Sequence, residues 1–515
     1  MILRATLDSG CRQAYRHLEH GFDAAFDAAN PWRHLGALAF LFLCLVLATG
    51  AYLYIVIDTS VLGVYRSIGD LARAPRSLGG LMHSLHRYAA DAFMLVTLLH
   101  LGRELLLGRY KHFRAFSWLT GIPLLGFAFV SGIVGFWLKW DQLAHFSVVA
   151  SAEWLDALNL FGVPITRNFL SAAAVSDRLF SLFIFVHIGA PLLLIFGLWF
   201  HLQRLAAADV FPPLTLTLGS CATLLLLSLL APVASAAAAD LSLVPTALAM
   251  DWFYLWPHLL MYATSAQALW ALAAVLVIAL FLMPLLPGAP LAAAAAVHPE
   301  HCNGCRRCVE DCPFAAIVMV PNPKAKTQLA QVLPELCARC GICAGACPAA
   351  SASRASGFVT GIDMPGAPLA TLHRELQLGL ERIGENGVVV FGCGQGAATG
   401  QLAGEEVAAF SLNCVGMLPP SFVDHALRNG AAGVLVAACR PGGCAFRMGD
   451  RWTAERLAGV REPKLRTGFE SQRLRLVRAD RGEEETVASA LAEFRRALEQ
   501  PAAEGKLSTR MASNV

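Results

Sequence analysis

Two short runs of the chain each place four cysteines in the same spacing. The first run, CNGCRRCVEDCP, begins at Cys302, and the second, CARCGICAGACP, begins at Cys337. Both follow the pattern C-x2-C-x2-C-x3-C-P, and thiolate sulfur is a soft ligand that suits iron–sulfur clusters. Zinc is the alternative metal, but two runs of this spacing are rarely zinc sites. The runs therefore predict iron–sulfur clusters.

The paired runs resemble those of a bacterial two-cluster [4Fe–4S] ferredoxin, in which the fourth cysteine of each run crosses to the other cluster. The resemblance implies that one cluster is held by Cys302, Cys305, Cys308 and Cys347. The other would be held by Cys337, Cys340, Cys343 and Cys312. Pro313 and Pro348 follow the fourth cysteines and terminate the two loops.

Four more cysteines lie nearer the carboxyl terminus. Cys393, Cys414 and Cys439 follow the apolar stretches VVVFGC, FSLNC and VLVAAC, and Cys444 closes CRPGGC. The carboxyl ends of parallel strands meet at one edge of a sheet, where such folds place their sites. Four thiolates at that edge would hold one [2Fe–2S] cluster, and four buried structural thiols are the alternative. The remaining cysteines, Cys11, Cys44 and Cys221, are interpreted as small apolar residues.

The stretches NCVGMLPPSFVDHAL and GVLVAACRPGGCAFRMGD resemble the iron–sulfur delta subunit of methyl-viologen-reducing hydrogenases. That subunit feeds electrons to flavoproteins of heterodisulfide-reductase type, so the resemblance implies FAD on a partner subunit. The family's first motif usually holds several cysteines, whereas this chain has only Cys393 in FGCGQG. The ligand set of this chain is therefore minimal.

Two apolar stretches carry histidines at one repeated spacing. His86 and His100 are 14 residues apart, and so are His187 and His201. Fourteen helical residues stop about 40° short of four whole turns, so both rings of a pair leave the same face, about 21 Å apart along the axis. Two such helices side by side can ligate two stacked haems, each held by one ring from each helix. A hydrogen-bonded contact between helices is the alternative for a single intramembrane histidine.

Two glycine pairs share this spacing: Gly36 with Gly50, and Gly121 with Gly135. Glycine permits close backbone approach beside a planar macrocycle. The histidine and glycine pairs, with GGLMHSLHRYAADAFMLVTLLHLGRELLLGRY and FVHIGAPLLLIFGLWFHLQ, resemble the cytochrome b of bc-type quinol-oxidising complexes over about residues 20–287.

This resemblance implies that His86 and His187 bind an outer b haem, and that His100 and His201 bind a cytoplasmic one. MDWFYL, from Met250 to Leu255, is similar to that family's quinol-site PEWY element. Asp251 stands where a glutamate is usual, and it is the candidate catalytic residue of a quinone site.

The elements that must position these residues include long apolar segments. The chain has 515 residues, of which 56% are hydrophobic and 15% are charged. A membrane span needs roughly 20 apolar residues, and we count six segments: about 35–57, 82–107, 115–138, 178–202, 214–237 and 267–287. The first ~34 residues and the stretch beginning WDQLAHF are amphipathic, which predicts helices on the membrane surface.

The formal charge of +3 without a dense basic tract excludes a nucleic-acid partner.

We therefore predict a multi-domain chain. Residues 1–290 form a six-span all-α transmembrane cytochrome b bundle, 291–355 a ferredoxin-type 2[4Fe–4S] domain and 356–384 a linker. Residues 385–500 form a small α/β domain with a parallel sheet that holds the [2Fe–2S] cluster, and 501–515 form a tail.

The predicted function is electron transport between a cytoplasmic flavin and iron–sulfur oxidoreductase and the membrane quinone pool, in the direction of quinone reduction. The chain would be an electron-transfer subunit of an oxidoreductase with little activity alone. A redox-silent membrane anchor and reverse flow from quinol to a bifurcating partner are the alternatives. Because iron–sulfur clusters are built and kept in a reducing compartment, the amino terminus and the cluster domains are expected in the cytoplasm, with the bundle in the inner membrane. Cytochrome b relatives are usually dimers, so a homodimer through the membrane domain is also expected.

Overall fold

A computed structural model describes residues 2–171, 174–241, 247–249, 251, 253–287, 292–323, 326–353, 357–465 and 471–499. The chain divides into two compact units, Met1–Ala289 and Pro290–Val515. In the described residues the first unit is built of helices, and the second mixes short helices with three small sheets.

The helices of the first unit are α1 (Ile2–Phe26), α2 (Leu35–Val56), α3 (Val64–Arg73), α4 (Leu78–Leu106), α5 (Ala115–Trp137), α6 (Gln142–Asp156), α7 (Asp177–Leu202), α8 (Leu214–Leu230), α9 (Trp256–Ala263) and α10 (Ala266–Leu282). Two pairs are closely packed along their lengths: α2 lies against α4, and α5 lies against α7. These four helices carry every residue of the histidine and glycine pairs.

Side-chain caps fix where several of these helices begin. The Ser77 hydroxyl accepts a hydrogen bond from the Gly80 amide at 3.1 Å at the start of α4. At the start of α6, the Asp141 carboxylate accepts a hydrogen bond from the Ala144 amide at 2.8 Å. Such caps satisfy amide groups that have no partner inside the first turn of a helix.

Four helical segments among the described residues are long and apolar enough to cross a membrane: Leu35–Val56, His112–Trp137, Asp177–Leu202 and Ala266–Leu285. The protein is therefore membrane-integral. The predicted second span lies in α4, a helix of 29 residues that carries Arg87 and Asp91 towards its middle and two more charged residues near its carboxyl end. The predicted fifth span lies in α8, which ends at Leu230 rather than near 237. Pro232 explains that end, because a residue before proline disfavours helical geometry. The count of six spans stays a prediction.

The second unit contains four short strands and two single-turn helices around the cysteine runs. Strand β1 (Ala296–Val297) pairs antiparallel with β4 (Ile362–Asp363), and β2 (Ile317–Pro321) pairs antiparallel with β3 (Gln328–Val332). Helix α11 (Arg307–Glu310) lies within the first cysteine run, and α12 (Ile342–Gly345) within the second. This arrangement occupies the segment predicted as the ferredoxin-type domain and extends beyond it to β4.

The rest of the second unit is a parallel sheet with helices. Its strands are β5 (Val388–Cys393), β6 (Val407–Leu412), β7 (Gly433–Ala438) and β8 (Leu474–Arg478), in the order β6-β5-β7-β8. The helices are α13 (Leu369–Ile383), α14 (Pro420–Arg428), α15 (Gly449–Leu457) and α16 (Glu484–Glu499). Strands β5 and β7 are buried along their whole lengths, as expected for a parallel sheet covered on both faces. The predicted parallel α/β sheet is confirmed.

The structure differs from the expected linker over residues 356–384. Ile362 and Asp363 form β4, and residues 369–383 form α13. Helix α13 buries four leucines at a helical spacing: Leu369, Leu372, Leu376 and Leu380. The Asp363 carboxylate accepts a hydrogen bond from the Leu369 amide at 3.1 Å at the start of this helix. The apolar period of LATLHRELQLGLERI predicts such a helix, so most of this segment is part of the folded unit. The expected tail, 501–515, lies outside the described residues.

Candidate functional site

The paired histidines of α4 and α7 face each other inside the first unit. The ring centres of His86 and His187 are 6.2 Å apart, with an angle of 73° between the ring planes. Two metal–imidazole bonds of about 2 Å, with roughly 1 Å from each nitrogen to its ring centre, would separate two axial ligands by roughly 6 Å. The spacing of these two rings therefore fits one haem iron between them.

Hydrogen bonds fix the orientation of three of the four imidazoles. His187 Nδ1 lies 2.8 Å from the Ser131 carbonyl oxygen, which can only accept, so this nitrogen carries the proton. The Thr49 hydroxyl lies 3.0 Å from His86 Nδ1 and donates to the Leu45 carbonyl at 2.7 Å. Because the hydroxyl proton is used, its lone pair accepts from Nδ1–H. In both cases Nε2 keeps its lone pair for a metal.

His201, of the pair His100 and His201, repeats this arrangement. The Thr120 hydroxyl lies 3.2 Å from His201 Nδ1 and donates to the Phe116 carbonyl at 2.8 Å. Thr49 and Thr120 each precede a glycine of the pairs, so the dipeptide Thr-Gly occurs at both places. Sequence reasoning missed these two threonines and Ser131, although the repeated dipeptide was a usable signal.

Each predicted glycine lies against one predicted histidine. A Cβ atom at Gly36 would lie 3.4 Å from His100 Cε1, and one at Gly121 would lie 3.4 Å from His201 Cε1. At Gly50 the distance to His86 Cε1 would be 3.1 Å, and at Gly135 the added atom would collide with His187 Cε1. These glycines make room for the imidazole rings themselves, which is a more direct role than close approach to a macrocycle.

Asp251 lies in a network of buried contacts beside the pair His86 and His187. One carboxylate oxygen accepts from the amides of Phe253 and Tyr254, at 2.9 and 2.6 Å. The other forms an ion pair with Arg87, the residue after His86, and only 5% of the Asp251 side chain is exposed. Both oxygens are thus engaged, so the contacts anchor this loop to α4. Met250 and Trp252 of the same element lie outside the described residues, and the quinone-site role of Asp251 stays a prediction.

The cysteine runs of the second unit line two small cavities. The first cavity is lined by three cysteines of the first run and the last of the second: Cys302, Cys305, Cys308 and Cys347. The second is lined by the complementary set: Cys312, Cys337, Cys340 and Cys343. The structure thus brings together the two sets of four that the ferredoxin resemblance implied. Their assignment as cluster ligands remains a proposal.

The chemistry of these thiols fits a bound metal centre. Burial raises the pKa of the Cys308 thiol to about 12 and that of the Cys340 thiol to about 12, because a thiolate is poorly solvated there. A positively charged metal centre would stabilise the thiolates. Backbone amides add to this: Ala316 donates to Cys312 Sγ and Gly361 to Cys347 Sγ, both at 3.3 Å.

The four remaining cysteines meet at one edge of the parallel sheet. Cys393 ends β5, Cys414 follows β6, Cys439 follows β7, and Cys444 lies in the next loop. All four are buried, and Cys439 Sγ lies 3.6 Å from Cys393 Sγ. Hydrogen bonds from Cys414 and Cys439 lower the pKa of Cys393, and the same two thiols lower that of Cys444. Four sulfurs in mutual contact can ligate a small iron–sulfur cluster.

Three family models match separate parts of the chain. Residues 25–208 match cytochrome b/b6/petB, residues 301–351 match the 4Fe-4S dicluster domain, and residues 397–500 match the delta subunit of methyl-viologen-reducing hydrogenase. The three resemblances indicated by the motifs are confirmed. These matches imply haem in the first unit and iron–sulfur clusters in the second, and they support a membrane electron-transfer subunit.

Two known proteins illustrate the likeness. A cytochrome b of Candida parapsilosis is 24% identical over 191 residues, which are 37% of this chain. The chain spans about half the length of this curated relative, at 50%. A solved structure titled Hyperthermophilic respiratory Complex III is 18% identical to this chain, with a TM-score of 0.41. The match covers 53% of this chain and 82% of the chain in that structure.

We expect Gly135→Ala to displace His187 and to lower the haem content of the purified protein from about two haems per chain to about one. The physical reason is the collision of the new methyl group with the imidazole. The pyridine haemochrome assay measures this ratio. Gly126→Ala is the matched control on α5, since a Cβ atom at Gly126 would contact nothing within 4 Å. Equal haem content in both variants would contradict the assignment of His187.

We expect Cys347→Ser to remove the same electron paramagnetic resonance (EPR) signal as Cys305→Ser, although the two cysteines belong to different runs. Cys312→Ser should remove the other [4Fe–4S] signal, with about four iron atoms lost in each case. Cys221→Ser, in α8, is the control and should keep both signals. If Cys347→Ser and Cys312→Ser remove one common signal, the crossed ligand sets are wrong.

Proposed function

We propose that the chain is the membrane-anchored electron-transfer subunit of a quinone-linked oxidoreductase. It would carry electrons between a cytoplasmic flavin and iron–sulfur oxidoreductase of heterodisulfide-reductase type and membrane quinone. One observation carries the proposal: a single chain combines two histidine pairs in an apolar helical unit with 12 cysteines grouped at three places in a second unit.

The residues at each site suit electron transfer better than bond-making chemistry. Histidines on both sides of an iron leave no open coordination position, which favours one-electron transfer over ligand binding. Thr49, Ser131 and Thr120 hold the imidazole rings in fixed orientations, so little rearrangement accompanies a change of charge. The four cysteines around the second cavity are all buried and exclude water from the cluster that they would hold, whereas Cys305 at the first cavity is exposed.

The proposed order of carriers begins with the four-cysteine site at the sheet edge, where the flavoprotein partner docks. Electrons continue through the two [4Fe–4S] clusters to the cytoplasmic haem of His100 and His201. They reach quinone there or beyond the outer haem of His86 and His187. The membrane potential supports this direction, because moving an electron from the cytoplasmic to the outer side lowers its free energy by ~2.3 kcal/mol per 100 mV.

The placement in the cell follows from the same proposal. Iron–sulfur clusters are assembled and kept in a reducing compartment, so both cluster sites and the amino terminus would lie on the cytoplasmic side of the inner membrane. A homodimer through the membrane unit is proposed by analogy with cytochrome b. The engaged carboxylate of Asp251 is assigned an anchoring role for its loop, and the proposal needs no proton transfer there.

The test is anaerobic stopped-flow spectroscopy of the purified chain in lipid nanodiscs. We expect reduced methyl viologen to reduce the clusters first, the haem alpha band to follow, and an added quinone to bleach last. Cys439→Ser, which disrupts the site at the sheet edge, should slow haem reduction severalfold, and Cys221→Ser should not. Haems that stay oxidised while the clusters are reduced would refute the proposed path.

The same preparation separates the alternatives. A redox-silent anchor predicts no sharp alpha band after reduction by dithionite. Reverse flow predicts that added quinol reduces the clusters, and that this reduction depends on the four histidines.

A further inference from the structure

The second [4Fe–4S] site and the site at the sheet edge share one buried apolar cluster within the second unit. Its members come from both sites and from helix α15 or the loop before it: Cys340, Ile342, Cys414, Met448 and Trp452. Cys340 is a proposed ligand of the second [4Fe–4S] cluster, and Cys414 is one of the proposed [2Fe–2S] ligands. Two proposed metal sites that are far apart in sequence therefore meet without solvent between these side chains.

Residues 341–345 pack against residues 414–417 where the two sites are in contact, and we term this contact the seam. Glycines line it on both sides. A Cβ atom at Gly345 would collide with the Gly416 carbonyl oxygen, and one at Gly416 would lie 2.9 Å from Ile342 Cγ1. Gly341 has a φ of +82°, and a Cβ atom there would lie 2.7 Å from Met417 Sδ. Backbone meets backbone at the seam, which only glycine permits.

One buried arginine ties the loops of both sites together. Arg456 of α15 is 1% exposed, and its guanidinium donates to the Gly416 carbonyl at 2.8 Å. The same guanidinium forms an ion pair with Asp311, which immediately precedes the cluster ligand Cys312. Gly416 follows Cys414 by two residues. The planar fork of arginine makes both contacts with fixed geometry.

Two neighbours complete the fixation of Asp311. The Trp452 indole donates to the Asp311 carbonyl at 3.2 Å. The Arg461 guanidinium binds the Asp311 carboxylate at 2.5 Å and lies 3.5 Å from the centre of the Trp452 ring. The charge of Asp311 is therefore compensated by two cations, as a buried carboxylate requires.

The first [4Fe–4S] site has a different environment. All residues that line its cavity come from between His301 and Ile362, and Cys305 is exposed. Only the second site reaches the seam. The crossed sets of cysteines thus give the two [4Fe–4S] sites unequal neighbours.

We infer that the seam is the electron-transfer junction between the site at the sheet edge and the second [4Fe–4S] cluster, and that Arg456 is the residue that positions the two. The order of carriers in the second unit is then sheet-edge cluster, second cluster, first cluster. The step moves one electron: one cluster is oxidised, the other is reduced, and no proton or bond changes. The inference rests on the proposed function, since it needs both clusters to be present.

The experiment uses EPR spectroscopy of the full-length protein at full reduction. We expect magnetic coupling between the sheet-edge cluster and a [4Fe–4S] cluster, seen as splitting or broadening of its signal. Cys305→Ser removes the first cluster and should leave this coupling unchanged, whereas Cys312→Ser should abolish it. Coupling that disappears with Cys305→Ser and survives Cys312→Ser would overturn the inferred order.

The role of Arg456 is tested by Arg456→Met, which keeps the length of the side chain and removes both contacts. We expect weaker coupling and at least tenfold slower electron transfer between the two clusters, with iron and sulfide content unchanged. Arg451→Met, on the same helix and 54% exposed, is the matched control. If Arg456→Met does not fold, Trp452→Phe removes one hydrogen bond to Asp311 and should weaken the coupling in the same direction.

Unchanged coupling in a folded Arg456→Met or Trp452→Phe variant would refute the positioning role. Iron and sulfide analysis distinguishes this result from failure of the proposed function, which would appear as clusters missing from the unmodified protein.

Discussion

An imidazole ring inside an apolar helix bundle needs a partner for each of its two nitrogens, because a buried polar atom without one is costly. This constraint explains most of the first unit. Thr49, Ser131 and Thr120 take the Nδ1 protons of three rings. The ring centres of His86 and His187 lie 6.2 Å apart, a spacing that suits one metal between the rings. Helix pairing, the glycines and the caps all serve to hold that geometry.

The same rule acts on sulfur in the second unit. Buried thiols with raised pKa values are poor ligands until a positive centre compensates the thiolate charge. The fold gathers the eight cysteines of the two runs in two sets of four and supplies backbone amides to Cys312 and Cys347. The second cysteine site is therefore a buried pocket in apolar surroundings, where the absence of water strengthens each electrostatic contact.

Buried charges are compensated at both ends of the proposed electron path. Asp251 pairs with Arg87 next to His86, and Asp311 pairs with Arg456 and Arg461 next to Cys312. Arg87 connects the proposed ligand helix α4 to the loop of Asp251, and Arg456 connects Asp311 to the loop of Gly416. These ion pairs fix ligands relative to their surroundings, and the proposed electron path does not need either carboxylate to change its protonation.

Much of the site could be predicted because ligand chemistry constrains short spacings. Helix geometry sets the 14-residue interval between the histidines, and cluster size sets the C-x2-C-x2-C-x3-C-P spacing. Both patterns can therefore be recognised in the sequence before the fold is known. The parallel strands were equally visible, since buried strands are apolar throughout. Helix α13 was missed because its segment was interpreted by its flanking Gly and Pro residues rather than by its apolar period.

The sequence by itself determined which residues are candidate ligands and on which local elements they lie, because those features depend on neighbours in the chain. Only the tertiary structure decided which ring faces Gly135, that the Ser131 carbonyl accepts the His187 proton, and that Arg456 joins two cysteine sites. These contacts connect residues up to 145 positions apart, as between Asp311 and Arg456. No local pattern encodes them, since they arise only when separate elements pack against each other.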